Sequence, residues 1–420
     1  RFGPGLGRDD QRVQRPHRGV GRLMASLTRE QGWLGSPPGA TWPSAETANE
    51  NPFLQFRSLL WSYTKALDAG WSDQKFVATI QRLDQAVADI DGAGFRHTPL
   101  GLAPQLNESL GRTGSLWVKD ETNNVSGSHK ARHLFGLALH LAVDEVPLST
   151  PLAIASCGNA ALAAAVIARA TGRPLAVHVP TWADPNVLDH LDDLGAQVRI
   201  CERQPHEDGD PCVLRSREVV SQGAIAFGCQ GTDNIFTLDG GRTLGFELAA
   251  SWVEQQSVPD HLFIQVGGGA LASSTVQALV DAKYFGALST LPHLRAVQAA
   301  GCAPLNQAFQ KVAASTVAEP LEAPQIMEPW PNPASAASGI LDDVTYDWKP
   351  LVWALQQQNN QPVVAAEADI VEAHRLTHAH TAIDADPTGT AGLAGLLTAH
   401  ADGTLDPSAS AVVLFSGVTR

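Results

Sequence analysis

Lys130 stands in the run Val125-Ser126-Gly127-Ser128-His129-Lys130-Ala131-Arg132-His133, just after a strand-like stretch, Ser115-Leu116-Trp117-Val118. Lysine is scarce in this chain: Lys65, Lys75, Lys119, Lys130, Lys283, Lys311 and Lys349 are the whole set. Only Lys130 is framed by Ser, Gly and His. A protonated amine in water is a poor nucleophile. Held in a confined pocket, it can shed its proton and form a Schiff base with a carbonyl.

Pyridoxal phosphate (PLP) is the best-known carbonyl partner of such a lysine, and it sets further requirements. Its phosphate needs a cradle. Gly267-Gly268-Gly269-Ala270-Leu271 follows the apolar run Leu262-Phe263-Ile264-Gln265-Val266 and precedes a helical pattern from Ala272 to about Lys283. Adjacent glycines let backbone N–H groups converge on an anion, and the following helix N-terminus adds a favourable field. A plain turn is the alternative, but the place between strand and helix favours the cradle. A substrate carboxylate also needs donors. Ser156-Cys157-Gly158-Asn159 lies between the strand-like Leu152–Ala155 and an Ala-rich helix. Small residues there leave helix N-terminal amides free for an anion; the alternative is an ordinary turn with Asn as cap. Last, the strand-like Ala411–Phe415 ends in Ser416-Gly417, where a hydroxyl can meet a pyridine nitrogen. Taken alone, that pair is a polar chain terminus.

In this order the four pieces resemble the fold-type II PLP enzymes, the group of tryptophan synthase β subunit, threonine dehydratase, cysteine synthase and threonine synthase. The resemblance covers about Thr98 to Arg420, starting at Thr98-Pro99-Leu100 and the strand Leu116-Trp117-Val118-Lys119-Asp120-Glu121. It implies Lys130 as Schiff-base lysine and Ser156, Cys157, Gly158 and Asn159 as the carboxylate loop, with Asn159 also on the ring hydroxyl. It implies Gly267, Gly268, Gly269, Ala270 and Leu271 as the phosphate loop, and Ser416 as the partner of the ring nitrogen. No metal site is expected. The implied fold is two doubly wound parallel-sheet α/β domains with PLP in the cleft between them.

Within the family the signals are mixed. Leu238-Asp239-Gly240-Gly241-Arg242-Thr243-Leu244-Gly245-Phe246-Glu247 is similar to segments of both threonine synthases and threonine dehydratases. Ser335-Ala336-Ala337-Ser338-Gly339-Ile340, followed by Trp348, resembles threonine synthase, as does Asp386–Gly392. Threonine synthases usually carry Phe-Lys-Asp-Arg where this chain has His129-Lys130-Ala131-Arg132, and a His before the lysine is similar to the tryptophan synthase β subunit. The expected activity is α,β-elimination on threonine or serine. A threonine synthase acting on O-phosphohomoserine is the alternative, and it would need a second anion site, with Arg132 and Lys119 as candidates. A cysteine synthase-like β-replacement enzyme comes next, then a non-catalytic PLP-binding protein.

The elements that must position these residues alternate along the chain. Strands are predicted at 152–155, 175–179, 197–200 and 225–227, with helices between them, including 131–144 and 185–194. Such alternation builds a parallel sheet. Ahead of it the apolar spacing predicts helices at 52–67 and 73–90, the second capped by Ser72. The expected division is a disordered segment at 1–49 and a helical extension at 50–97 packing on the large domain. The large PLP-binding domain would comprise 98–132 and 235–420, and the small inserted domain 133–234. Ala314 to Ser338, rich in Pro and Ala, reads as a long irregular connection. The loop Gln204–Asp210, with His206 in an acidic setting, reads as solvated rather than metal-binding.

A chain of 420 residues with net charge -14 and pI near 5.4 is a poor partner for nucleic acid or an anionic membrane. A small amino acid is the expected partner, and a homodimer is held open. No apolar run reaches transmembrane length. The five cysteines form no C-x-x-C pair, which suits neither a zinc site nor a disulfide framework and fits a reducing cytoplasm. The Arg-, Gly- and Pro-rich stretch before Met24 has no apolar core of a signal peptide, and Met24 is the expected translation start.

Overall fold

The computed structural model describes residues 27–44, 47–205, 207, 209–316, 320–323 and 325–418. Two sheets organise them. The larger runs in the order β1 (Leu100–Leu102), β2 (Leu116–Asp120), β10 (Ala411–Phe415), β7 (His261–Gln265), β8 (His293–Ala299), β9 (Val363–Ala365). All of its neighbours pair parallel except β1, which runs antiparallel to β2. The smaller sheet is wholly parallel: β5 (Gln197–Cys201), β4 (Leu175–Pro180), β3 (Leu152–Ala155), β6 (Ile225–Ala226).

Side chains on β10 alternate between two cores, as a period of two requires. Val412 and Leu414 join Leu262, Ile264 and Leu294 on one face. Ala411, Val413 and Phe415 join Val118, Phe263 and Val297 on the other. Helices cover both faces, which is why these strands read as unbroken apolar runs. A third core wraps the smaller sheet and takes in helices Lys130–Val143, Asn159–Thr171 and Asp73–Asp91.

The helix expected over 52–67 is instead broken. Pro52–Gln55 forms one turn, a 3-10 turn follows at Arg57–Leu59, and a second helix starts at Trp61 and ends at Asp68. The cause lies far away in sequence. The buried Asp239 carboxylate accepts the Trp61 and Ser62 N–H groups at 2.9 and 3.0 Å, capping a new helix at that point. The next helix, Asp73–Asp91, carries its Ser72 cap onto the Lys75 N–H. Rings of Phe53, Phe95 and Phe135, with centroids 4.6 to 5.0 Å apart, fasten these elements to the Lys130 helix.

Disorder is the expectation for 1–49, and residues 1–26 and 45–46 lie outside the described residues, as do His206 and Asp208 of the loop at 204–210. The stretch between is packed: Trp33 and Leu34 are buried, Trp33 meets the Trp353 ring edge-on at 5.0 Å, and Leu34 N donates to Gln277 Oε1 at 2.7 Å. Its Gly and Pro content hides this docking, because an irregular strap has no period to read. No described helix is long and apolar enough to cross a membrane.

Candidate active site

Three neighbouring strands, β2, β10 and β7, deliver three of the four motifs to their carboxyl ends, and β3 of the smaller sheet delivers the fourth. In open parallel sheets that edge is where ligands bind. After β2 the chain turns through Ser126 (φ 55) and Gly127 (φ 62), both left-handed, before helix Lys130–Val143 begins. A non-glycine residue in that region is strained and needs support. Ser126 has it, since its N–H donates to Asp91 Oδ2 at 2.8 Å.

The turn is tied to the end of β10. His129 N donates to Ser416 O at 3.1 Å, Ser128 pairs with Gly417 in an isolated bridge, and Val418 N donates to Gly127 O at 3.1 Å. Asn159 joins them, its Nδ2 donating to Val418 O at 3.3 Å. Lys130, Ser156, Cys157, Gly158 and Asn159 are all half-buried, as a lining of a cleft would be. Asn159 is the first residue of its helix, with Gly158 before it as cap, so Asn does not serve as the cap. Gly267, Gly268 and Gly269 (φ 97) close β7 and lead into helix Ala270–Tyr284, whose first residues are Ala270 and Leu271.

Several residues around this edge carry no sequence motif. Gln265 Nε2 donates to Ser416 Oγ at 2.5 Å and to Gly389 O at 2.9 Å. An amide in the middle of an apolar strand was the available signal. Cys229 Sγ lies 3.9 Å from Lys130 O, and burial pushes its thiol up to about 11 despite nearby Lys130. Asp347 is buried; its Oδ2 accepts Gly231 N at 3.0 Å, and its Oδ1 has no partner among the described residues. Burial raises its pKa to about 7. Asp342 lies against the glycines, its pKa also raised by burial, with Lys130 and the Gly268 N–H acting in the opposite direction. Asp386, beside Gly389, is raised by burial to about 6. Burial holds the imidazoles flanking Lys130 neutral, His129 well below its usual range and His133 down to about 3, with the Lys130 charge acting in the same direction. Their ring nitrogens meet carbonyls, Ser416 O and Thr237 O, each at 3.0 Å.

Lys119 and Arg132 do not join this group of residues. Both are fully buried in one ionic cluster. Lys119 Nζ lies 2.6 Å from Glu247 Oε2, and Arg132 meets Glu121 at 2.8 Å and Glu247 at 2.6 Å. Although burial opposes it, Arg132 and Lys119 hold Glu247 down to about 2. The five cysteines are free; Cys157 is half-buried and the others are buried. Among the described residues no cluster of His, Cys, Asp and Glu is disposed to hold a metal ion.

This chain belongs to the pyridoxal-phosphate dependent enzymes, whose family model matches residues 93–417. It is a PLP enzyme of fold type II. Threonine synthase from Synechocystis is 25% identical over 364 residues, covering 86% of this chain and 83% of its own length. Two solved structures share the fold. Maize serine racemase has a TM-score of 0.62 at 19% identity, over 81% of this chain and 93% of that one. A processed threonine deaminase isoform 2 from Solanum lycopersicum has a TM-score of 0.62 at 18% identity, over 83% and 91%.

Proposed function

We propose that this enzyme is a PLP-dependent lyase that removes the hydroxyl group of a β-hydroxy amino acid, threonine or serine, yielding a keto acid and ammonia. The observation that carries this reading is the hydrogen-bond direction at the end of β10. Gln265 donates to Ser416 Oγ, so the hydroxyl keeps its own proton to donate onward, toward an acceptor such as a pyridine nitrogen. A serine in this role donates a hydrogen bond without giving up the proton.

The residues suit the cofactor. A Cβ at Gly267 or Gly269 would press on Ile340, Asp342 or Thr345, so only glycine leaves these amides open at the start of helix Ala270–Tyr284 for a phosphate. Beside Lys130, Ser128 Oγ and His129 Nε2 are buried without partners among the described residues. In this reading Lys130 holds the cofactor, and the amides of Gly267, Gly268, Gly269, Ala270 and Leu271 hold its phosphate. Asn159 meets the ring hydroxyl and Ser416 the ring nitrogen. When bound, PLP supplies an electron sink for charge left at the substrate α-carbon. Ser416, as a neutral donor, keeps that sink shallow and favours expulsion of the β-hydroxyl. Lys130 Nζ takes the α-proton as general base. Ser156, Cys157, Gly158 and the amides opening the Asn159 helix hold the substrate carboxylate. Residues 133–234 would form a small domain inserted into the large one.

The threonine synthase relative favours a second reading, action on O-phosphohomoserine. Such a substrate needs a second phosphate site, and Lys119 and Arg132 are committed to buried ion pairs. The deciding experiment supplies the PLP-loaded protein with L-threonine, L-serine and O-phosphohomoserine in turn, following keto acid and inorganic phosphate. Keto acid from threonine or serine is the expected result. Phosphate release from O-phosphohomoserine without keto acid from the others would move the assignment to threonine synthase. Lys130→Ala is expected to lose both the visible absorption band and turnover.

A further inference from the structure

The turn that leads into Lys130 spends its backbone donors in two directions. Val125 N donates to Asn124 Oδ1 at 2.8 Å, Gly127 N to Asn124 O at 2.8 Å and His129 N to Ser416 O at 3.1 Å. These bonds stay inside residues 93–417, the stretch matched by the family model. The Ser126 N–H leaves it. Its acceptor is Oδ2 of Asp91, at 2.8 Å, and Asp91 is the last residue of helix Asp73–Asp91. At that end of its own helix a carboxylate is unfavourable, because it meets the negative end of the dipole. The helix is closed instead by Gly92, left-handed at φ 85, whose N–H donates to Ala88 O at 2.9 Å.

Ser126 needs that bond for a backbone reason. It stands at φ 55 and ψ 29, where a residue with a Cβ is strained, and it is completely buried. Its own hydroxyl has no partner among the described residues, so the side chain adds no bond that would hold the conformation. The Lys130 helix has no side-chain cap at its start, where His129 is already helical. The direction of its first turn is therefore set by the residues just before it. Asp91 itself is fixed from behind. Phe95 N donates to Asp84 Oδ1 at 2.7 Å, and the Phe95 ring lies 4.6 Å from that of Phe135, on the Lys130 helix. Phe76, Ile80, Leu83 and Val87 of the Asp91 helix share one core with Ala161 and Leu162 of the Asn159 helix.

We propose that Asp91 is a positioning residue for Lys130: its carboxylate holds Ser126 in the left-handed conformation, and that conformation sets the direction of the first turn of the Lys130 helix. The inference rests on the assignment of Lys130 as the Schiff-base lysine. It makes a helix that precedes the family's shared stretch part of the support of the active site. It also gives one substitution the power to replace another. Glycine adopts φ 55 without strain, so Ser126→Gly removes the need for the carboxylate. If Asp91 served only its own helix, Ser126→Gly would not make up for its loss.

The test compares the full-length wild type with Asp91→Ala, Asp91→Asn, Ser126→Gly and the double variant Asp91→Ala/Ser126→Gly, each checked by a thermal melt. Two readouts need no turnover. One is the rate at which the visible absorption band grows when PLP is added to cofactor-free protein. The other is hydrogen exchange at residues 125–129 before PLP is added. Turnover of L-threonine and L-serine is the third. Asp91→Ala is expected to slow band growth and lower kcat about tenfold, near the worth of one hydrogen bond, with KM within about twofold and faster exchange in the turn. Asp91→Asn keeps an acceptor oxygen and stays within about threefold of wild type. The double variant regains the band rate and kcat of Ser126→Gly alone. Band growth and exchange in Asp91→Ala equal to those of wild type would overturn the inference. So would a double variant no better than Asp91→Ala, which would leave Asp91 a support for its own helix. No keto acid from any form, wild type included, would sink the lyase reading and leave band rate and exchange to decide this inference. No band in any form would remove the role of Lys130 as Schiff-base lysine, and this inference with it.

Discussion

At Ser416 a single hydrogen-bond direction decides what the residue can do. A serine hydroxyl has one proton, and with the Gln265 amide donating to its oxygen that proton points elsewhere. Gln265→Leu removes the donor and also takes from the Gly389 carbonyl one of its two donors, leaving it the Ser416 N–H at 3.3 Å. About tenfold lower kcat is expected, near the worth of one hydrogen bond, with KM nearly unchanged and the visible band shifted. A shift in KM alone would mean Gln265 only shapes the pocket. Asp347 tests burial in the same way. Its folded pKa, about 7, lies above its ordinary value of 3.8, so the folded state binds a proton that the unfolded chain releases. That contribution is fully present below about pH 4 and is lost as pH rises through 7, on the order of a few kcal/mol in all. Asp347→Asn is expected to flatten this dependence and to raise stability at pH 8, read by urea denaturation at several pH values. An unchanged pH profile would show that Asp347 is ionised throughout.

Between elements, the Lys130 helix and helix Thr237–Glu254 cross where two glycines face each other. A Cβ on Gly240 would overlap the Arg132 carbonyl, and one on Gly136 would overlap the Gly240 backbone. The backbones touch there, so no side chain fits without moving a helix. Gly240→Ala is expected to cost about 3 kcal/mol or more and to weaken PLP binding, because the displaced helix carries Lys130 at its first turn. A thermal melt and a PLP titration on the same variant separate the two effects. The broken helix at residues 52–68 follows from the same reach of tertiary contacts. The Asp239 side chain that starts helix Trp61–Asp68 also meets His140 Nε2 at 3.0 Å, joining the N-terminal helices to the Lys130 helix.

Across the whole molecule, one buried ionic cluster ties the start of the chain's parallel-sheet region to its middle. Thr98, Lys119, Glu121, Arg132 and Glu247 come from five separate elements or loops and share one dry site. Glu247→Gln leaves Lys119 without its carboxylate in the interior, while Arg132 keeps Glu121. A loss of about 3 to 5 kcal/mol in unfolding free energy is expected, since breaking such a pair strands a charge without water. A loss under about 1 kcal/mol would mean that water reaches the cluster. With Glu247 held down to about 2, its ionised form contributes stability above its ordinary pKa of 4.5, and that contribution is lost as pH falls through 2.

The order of motifs and the alternation of strand and helix were legible in the residues, because both are local. Gly267–Gly269 mark a turn by composition, and Ala411–Phe415 marks a buried strand by its apolar run. Family membership followed from four such local marks in sequence order. Contacts between distant residues left no period or motif. Nothing local distinguishes Lys119 and Arg132, buried in ion pairs, from cations free to meet a substrate, or Asp342 from a solvated loop residue. Trp33 docks from a stretch rich in Gly and Pro, and Asp239 caps a helix 178 positions away in sequence. Local periodicity set the elements. Only packing decided which charges lose their water, which hydroxyl keeps its proton, and which carboxylate reaches the glycine loop, because each depends on groups brought together by the tertiary fold.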